Sequence, residues 1–339
     1  MRTKSLYLVG SLFLAAAALH GQSPVFYAAA PPDCSSLGTS PVAIPNGSGG
    51  TLGYSCYVSG TFVWYDAGGG WGTSIIVAAP ASGAIGVEYS FYDQSGNPQS
   101  LAGAVLGESA NIGSANFQRF ALFANQPAEI DLYGIGSTAP YTEAKGSVYA
   151  VIYCAEAKAC ANATPQLLYS AQPSHPWALS VPIVWDTNLS SQWSAEGIDN
   201  GSTHIVSLVI YNEETTAAAY AVRVYDSTGA LKGTGTTLSI PPLQSLADGY
   251  YGQGGTLGVL LSEIVSPLPS GIFKIMVDGG TQLSAVEVLQ FNGSSAATLQ
   301  VAPDTAPTST GAAPNAKPAT PRRLLPRSAP GGLFRSLPL

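Results

Sequence analysis

The sequence predicts an all-β protein of two tandem antiparallel β-sandwich domains, followed by a disordered Pro-rich C-terminal tail. Three observations support this. Short β-branched and aromatic runs recur from residue 58 to residue 301, and Gly, Pro, Asn and Ser separate them. No segment of about twelve residues has the apolar periodicity of an amphipathic helix. Some of the runs recur in the same order roughly 125 residues later, which is typical of a repeated module.

The alternation of apolar and polar residues defines the individual strands. In the first half they are Thr61–Tyr65, Ser74–Ala79, Gly86–Tyr92, Phe117–Phe123, Ala128–Tyr133 and Ser147–Cys154. In the second half they are Ser180–Trp185, His204–Tyr211, Ala219–Tyr225, Gly271–Val277 and Leu283–Phe291. Leu257–Val265 is predicted to form one or two helical turns.

The N-terminus has the pattern of a secretory signal peptide. Arg2 and Lys4 precede an almost wholly apolar run, Ser5–Ala18, and Gly21 follows shortly after it. The run is shorter than the roughly 20 residues that a membrane span needs, although an uncleaved anchor is the alternative. We therefore expect a secreted protein, located outside the cell, on its surface or in the periplasm, with no membrane span once the signal is removed.

Composition divides the chain into five segments. We expect a signal peptide at residues 1–21, a loop-rich N-terminal extension at 22–57, one sandwich at 58–172 and a second at 173–301. Residues 302–339 are rich in Pro, Ala and Arg and cannot supply a core, so they are predicted to be a disordered basic tail.

Four cysteines remain after the signal peptide: Cys34, Cys56, Cys154 and Cys160. An even number of cysteines in an exported chain predicts two disulfides. Proximity in sequence favours Cys34–Cys56 and Cys154–Cys160, although three pairings are open. The spacing does not suit zinc, and we expect neither a metal nor a cofactor.

The repeat includes two turn motifs. Tyr92-Asp93-Gln94-Ser95-Gly96 resembles Tyr225-Asp226-Ser227-Thr228-Gly229, and in both we expect Asp to cap a tight turn that Gly closes in the left-handed conformation. Phe62–Asp66 also resembles Ile183–Asp186, which would place Trp64 and Trp185 at equivalent positions.

These patterns carry a family resemblance. The LVIYN strand, the YDSTG hairpin and the final GIFKIMV and LSAVEVLQF strands resemble Ig-like or fibronectin-like modules of secreted bacterial proteins, many of unassigned function. The resemblance covers about 240 residues at the level of architecture. It brings no catalytic motif, and the Cys…Trp…Cys spacing of antibody domains is absent.

Charge excludes one class of partner. Only 10% of residues are charged. Residues 22–301 carry nineteen acidic and six basic side chains, a net charge of −13, whereas the tail is +4. The negative charge of residues 22–301 argues against nucleic-acid binding.

Catalytic patterns are weak. No G-x-S-x-G motif occurs, and only His175 and His204 follow the signal peptide. Glu129 and Asp131 share a strand face and begin an E-x-D-x-x-E pattern typical of β-jelly-roll glucanases, but Gly134 replaces the last acid. The polar residues near Asp93 could be read as calcium ligands, but a tight turn explains them more simply.

Exposed aromatic residues are the remaining candidates for contact with a ligand. Trp71 and the Tyr250-Tyr251 pair lie in Gly-rich loops, where binding residues are common. Trp64 and Trp185, by contrast, are expected in the core. We therefore expect a non-enzymatic structural or binding protein, whose unknown partner could be a glycan or a cell-surface protein. The alternatives are a carbohydrate-binding accessory protein, a glycoside hydrolase-like enzyme, or a subunit of an extracellular assembly.

Overall fold

The computed structural model describes residues 24–46, 49–105, 108–111, 117–171, 178–201, 204–244, 253–292, 295–299, 301–303 and 335–336. The first strands are β1 (Val42–Pro45), β2 (Thr51–Ala67), β3 (Trp71–Ala78), β4 (Ile85–Asp93), β5 (Ala102–Val105), β6 (Glu108–Asn111), β7 (Phe117–Leu122), β8 (Pro127–Gly134), β9 (Ala144–Cys154), β10 (Gln166–Ala171), β11 (Ala178–Pro182) and β12 (Val184–Trp185). The later strands are β13 (Gln192–Asn200), β14 (His204–Asn212), β15 (Ala221–Asp226), β16 (Leu231–Thr236), β17 (Thr256–Leu260), β18 (Gly271–Asp278), β19 (Ser284–Asn292), β20 (Ser295–Leu299), β21 (Val301–Pro303) and β22 (Arg335–Ser336). Two short α-helices, α1 (Ala157–Ala161) and α2 (Leu261–Ile264), and two 3-10 turns, Ser35–Leu37 and Asp186–Asn188, complete the described elements.

The all-β prediction is confirmed: the strands form four sheets. A seven-stranded sheet has the order β1-β2-β9-β4-β7-β22, with β12 beside β2, and a six-stranded sheet has the order β11-β10-β3-β8-β5-β6. A five-stranded sheet has the order β16-β15-β18-β13-β21, and a four-stranded sheet has the order β17-β14-β19-β20. Among the described strands, every pair is antiparallel except β22 with β7.

The seven-stranded and six-stranded sheets enclose one apolar core, and the five-stranded and four-stranded sheets enclose a second. We call them the first and the second pair of sheets. Phe62 on β2 and Val148 on β9 meet Ile75 on β3 in the first core. Val222 on β15 and Ile275 on β18 meet Leu208 on β14 in the second. The alternation of side chains along each strand produces these cores, since every second residue faces inward.

The two pairs of sheets share a strand order. Eight strands of the first pair correspond, in chain order, to β13–β20 of the second pair, and each holds the same place in its sheet. These eight are β2, β3, β4, β7, β8, β9, β10 and β11. The order β2-β9-β4-β7 thus matches β13-β18-β15-β16, and β11-β10-β3-β8 matches β20-β19-β14-β17. The hairpin β5-β6 is an addition to the first pair.

The predicted turn chemistry is confirmed. Oδ1 of Asp93 accepts hydrogen bonds from the backbone N–H groups of Ser95 and Asn97, at 2.8 and 2.9 Å. Oδ1 of Asp226 accepts equivalent bonds from the second and fourth residues after it. Gly96 and Gly229 have φ values of 82° and 81°, in the left-handed region that glycine tolerates best.

The favoured disulfides are also confirmed. Cys34 bonds to Cys56, and Cys154 bonds to Cys160. Cys56 on β2 lies directly opposite Cys154 on β9, so the two bridges are neighbours at one end of the first core. They attach the N-terminal segment and α1 to these two strands.

Several segments differ from the expected organisation. β2 begins at Thr51, within the predicted extension, and the expected change at residue 57 falls inside this strand. The expected boundary at residues 172 and 173 lies outside the described residues, and β11 and β12 both pair with strands of the first two sheets. Leu257–Val265 was predicted to form helical turns. Its first four residues belong to β17, and only α2 is helical.

The two ends of the chain are only partly described. Residues 1–23, with the predicted signal peptide, and most of the predicted tail lie outside the described residues. Val301–Pro303, at the start of the predicted tail, pairs with β13, and Arg335–Ser336, near its end, pairs with β7.

Candidate binding groove

The outer face of the four-stranded sheet packs against the first pair of sheets. On β14, Leu208 faces the second core, whereas the neighbouring Val209 and Tyr211 point the other way and bury Val63 of β2. Ala285 of β19 completes this small apolar cluster. Both faces of the four-stranded sheet are therefore covered in this region.

Hydrogen bonds cross the same contact. Thr256 Oγ1 donates to the carbonyl oxygen of Val63 at 2.7 Å, and Gln253 Nε2 donates to Thr61 Oγ1 at 3.3 Å. The ring of Trp64 lies over Gly258, where a Cβ atom would come within 3.0 Å of the indole. Glycine at this position therefore lets the indole approach the backbone of β17.

A groove opens beside this contact, with a volume of about 340 Å³. Both pairs of sheets line it. From the first pair come Trp64, Asp66, Trp71, Lys145 and Tyr169, and from the second come Ser207, Val209, Gly258, Val259, Leu260, Glu263, Leu289 and Phe291. We call it the junction groove. Its volume is within the range of small-molecule sites, and contacts between domains are a common place for such sites.

A glycine turn brings two tryptophans to one end of the groove. Gly68, Gly69 and Gly70 all have positive φ angles, and Gly68 and Trp71 exchange two backbone hydrogen bonds. The chain therefore reverses sharply after β2, and Trp71 returns to the groove that Trp64 also lines. Both indoles are half-buried.

Charged side chains accompany these rings. Asp66 is 8% exposed, and its Oδ2 lies 3.5 Å from Lys145 Nζ. Lys145 lies closer to Glu143, at 3.0 Å. Burial raises the pKa of Asp66 to about 7, and the attraction of Lys145 offsets only part of this effect. Within the described part of the chain, Asp66 Oδ1 is buried and has no hydrogen-bond partner.

A second acid lies beside a residue that lines the groove. Glu287 of β19 is paired in register with Val209, a lining residue, and is 4% exposed. Both of its carboxyl oxygens lack a hydrogen-bond partner among the described residues. Burial raises its pKa to about 8, so it is mostly protonated at pH 7. Glu263 of α2, by contrast, is exposed at the groove.

Of the aromatic residues predicted to contact a ligand, one lines the groove. Trp71 lines the groove, whereas Tyr250 and Tyr251 lie outside the described residues. The expected equivalence of Trp64 and Trp185 is wrong, because β12 pairs with β2 in the same sheet while the counterpart of β2 is β13. Trp64, expected in the core, packs against the first core while partly buried and also lines the groove.

The other predicted chemistry stays apart from the groove. Asp131 accepts a hydrogen bond from Ser74 at 2.5 Å on the outer face of the six-stranded sheet, where Glu129 also lies. His204 Nδ1 accepts a hydrogen bond from the N–H of Gly201, and His175 lies outside the described residues. Across the described ranges, no cluster of three or more His, Cys, Asp or Glu side chains is arranged to hold a metal ion.

Sequence reasoning missed most of the groove. Asp66 and Trp64 are separated from Gly258 by nearly 200 residues, and only the contact between the sheet pairs joins them. The Gly-Gly-Gly turn before Trp71 was the one local signal.

No family model matches the chain, and no curated protein matches its sequence. Among the described helices, none combines the length and the apolar character needed to cross a membrane.

Proposed function

We propose that this chain is a secreted binding protein of two tandem Ig-like sandwiches, and that the junction groove binds a saccharide. The observation that carries the proposal is the groove itself, where Trp64 and Trp71 lie beside buried and exposed polar groups. Flat aromatic rings pack against the apolar faces of sugar rings, and nearby polar groups satisfy sugar hydroxyls.

The shared strand order supports the tandem arrangement. In each set of eight equivalent strands, the second and fifth are neighbours in one sheet, and the third and sixth are neighbours in the other. Strands B and E and strands C and F have the same relation in Ig domains. The first, fourth and seventh strands lie in the sheets opposite to their Ig positions, so the proposed relation concerns the second, third, fifth and sixth strands.

The disulfides support export. Both bridges are closed within the first pair of sheets, and such bonds persist in oxidising compartments. The proposed signal peptide at residues 1–21 would deliver the chain there. The acidic body disfavours nucleic acid and leaves a glycan as the favoured ligand.

Isothermal titration calorimetry of the full mature chain, after a glycan-array screen, tests the proposal. We expect Trp71→Ala to weaken binding of the saccharide by at least tenfold. Tyr141→Ala is the matched control, because Tyr141 is a half-buried aromatic that stacks on Tyr133 and does not line the groove. Equal affinity for the Trp71 variant and the control would refute the groove as the binding site, as would the absence of any glycan ligand.

A further inference from the structure

We propose that the junction groove selects saccharides bearing a free ammonium group, which pairs with Asp66 beside Trp64 and Trp71. This inference rests on the proposed function, because it names the class of ligand for the same groove. The inference specifies a positive charge on the ligand, which packing against the aromatic rings alone does not require.

The first support is the carboxyl group of Asp66. Asp66 lines the groove, its Oδ2 lies 3.5 Å from Lys145 Nζ, and its Oδ1 is buried from solvent. A further cation in contact with the ionised carboxyl group lowers the cost of its burial. An ammonium group offers three donors and the complementary charge.

The second support is the local charge balance. Lys145 is the one cationic side chain in the described lining, and it lies nearer to Glu143 than to Asp66. Glu143 therefore offsets the charge of Lys145. When Asp66 ionises, it and Glu263 give the groove lining a net negative charge, so a cationic ligand restores the balance.

The third support comes from the rings and from the protein as a whole. Indole faces attract cations, and they do so more strongly in partly desolvated sites. The net charge of −13 on residues 22–301 also draws cationic ligands toward the surface.

The pairing predicts a pH dependence with a definite sign. The pKa of Asp66 is about 7 in the free protein, and among the described residues the charged groups that act on it are Lys145 and Glu143. A bound ammonium stabilises the ionised carboxylate, so binding releases a proton below pH 7. For a ligand whose amines stay protonated across this range, such as trilysine, affinity then rises by up to about tenfold per pH unit between about pH 5 and pH 7. For a glucosamine oligomer the rise is smaller, because its own amines lose protons as the pH approaches 7.

The experiment compares three tetrasaccharides of similar shape by calorimetry at pH 5.5 and pH 7: fully deacetylated chitosan tetramer, N-acetylated chitin tetramer and cellotetraose. We expect the chitosan tetramer to bind at least tenfold more tightly than the other two at pH 7. Asp66→Asn should abolish this preference and its pH dependence. Glu263→Gln changes an exposed side chain and should lower the preference severalfold even if the Asp66 variant does not fold.

The outcomes separate this inference from the proposed function. Equal binding of all three tetrasaccharides would overturn the ammonium preference while leaving a saccharide groove in place. No binding of any tetrasaccharide would count against both. Trilysine serves as a further probe, and trilysine binding as tight as that of the chitosan tetramer would overturn the requirement for a saccharide.

Discussion

Glu287 should lower the stability of the folded protein at neutral pH, and Glu287→Gln should remove that effect. The side chain is 4% exposed and neither carboxyl oxygen has a partner among the described residues, so its pKa rises from 4.5 to about 8. The unfolded chain releases this proton at a lower pH than the folded chain does. The free energy of unfolding therefore falls as pH rises from about 4.5 to about 8, and it changes little from this group above that range.

The magnitude follows from the width of this window. One pH unit between the two pKa values corresponds to about 1.4 kcal/mol. The wild-type protein should therefore lose roughly 3 kcal/mol from this group between pH 5 and pH 7. Glutamine has nearly the same shape but does not ionise, so its variant should not show this loss.

Urea unfolding followed by tryptophan fluorescence at pH 5, 6, 7 and 8 measures the effect. The gap in unfolding free energy between the Glu287→Gln variant and the wild type should widen in favour of the variant by roughly 3 kcal/mol from pH 5 to pH 7. Glu196→Gln is the control, since that side chain is 72% exposed and should leave the pH dependence unchanged. Parallel pH profiles for the wild type and Glu287→Gln would refute the reasoning.

Two further predictions concern turns and disulfides. Gly229→Ala should cost about 1 kcal/mol because of its positive φ, and urea unfolding should show a larger loss for Gly96→Ala, whose Cβ would lie 2.5 Å from a backbone carbonyl oxygen. Equal losses would contradict the close approach. Replacing Cys34 and Cys56 by Ala should destabilise the protein by about 3 kcal/mol, against about 2 kcal/mol for removing Cys154–Cys160, because the first bridge spans 22 residues and the second spans 6. The reverse order in the same assay would show that loop entropy does not dominate.

Local patterns predicted much of the fold. Alternation along β8 placed Ile130 inside and Glu129 outside, and the Asp-x-Ser/Thr-Gly motifs predicted both turns. The pairing of nearby cysteines followed from short separations. These features depend on neighbours in the chain, so the sequence contains their signals directly.

The groove depends on contacts between distant strands and could not be predicted in the same way. Trp64 was expected in the core because the repeat placed it and Trp185 at equivalent positions on strands, but a register shift in β2 between Phe62 and Tyr65 accompanies its turn toward β17. Strand β13 was missed because Gly197 and its charged neighbours interrupt the apolar alternation. The false match of Trp185 to Trp64 then followed from short strands sharing few residue types.

The most direct test of the junction groove is a titration observed through the tryptophan indole N–H signals in an NMR spectrum. The chain has five tryptophans, and Trp193 provides an internal control because its indole N–H is bonded to Ser190 and Ser284 in the second core. Addition of chitosan tetramer at pH 7 should shift the signals of Trp64 and Trp71 and leave that of Trp193 in place. Unchanged signals for both groove tryptophans at saturating ligand would contradict a saccharide site in the groove.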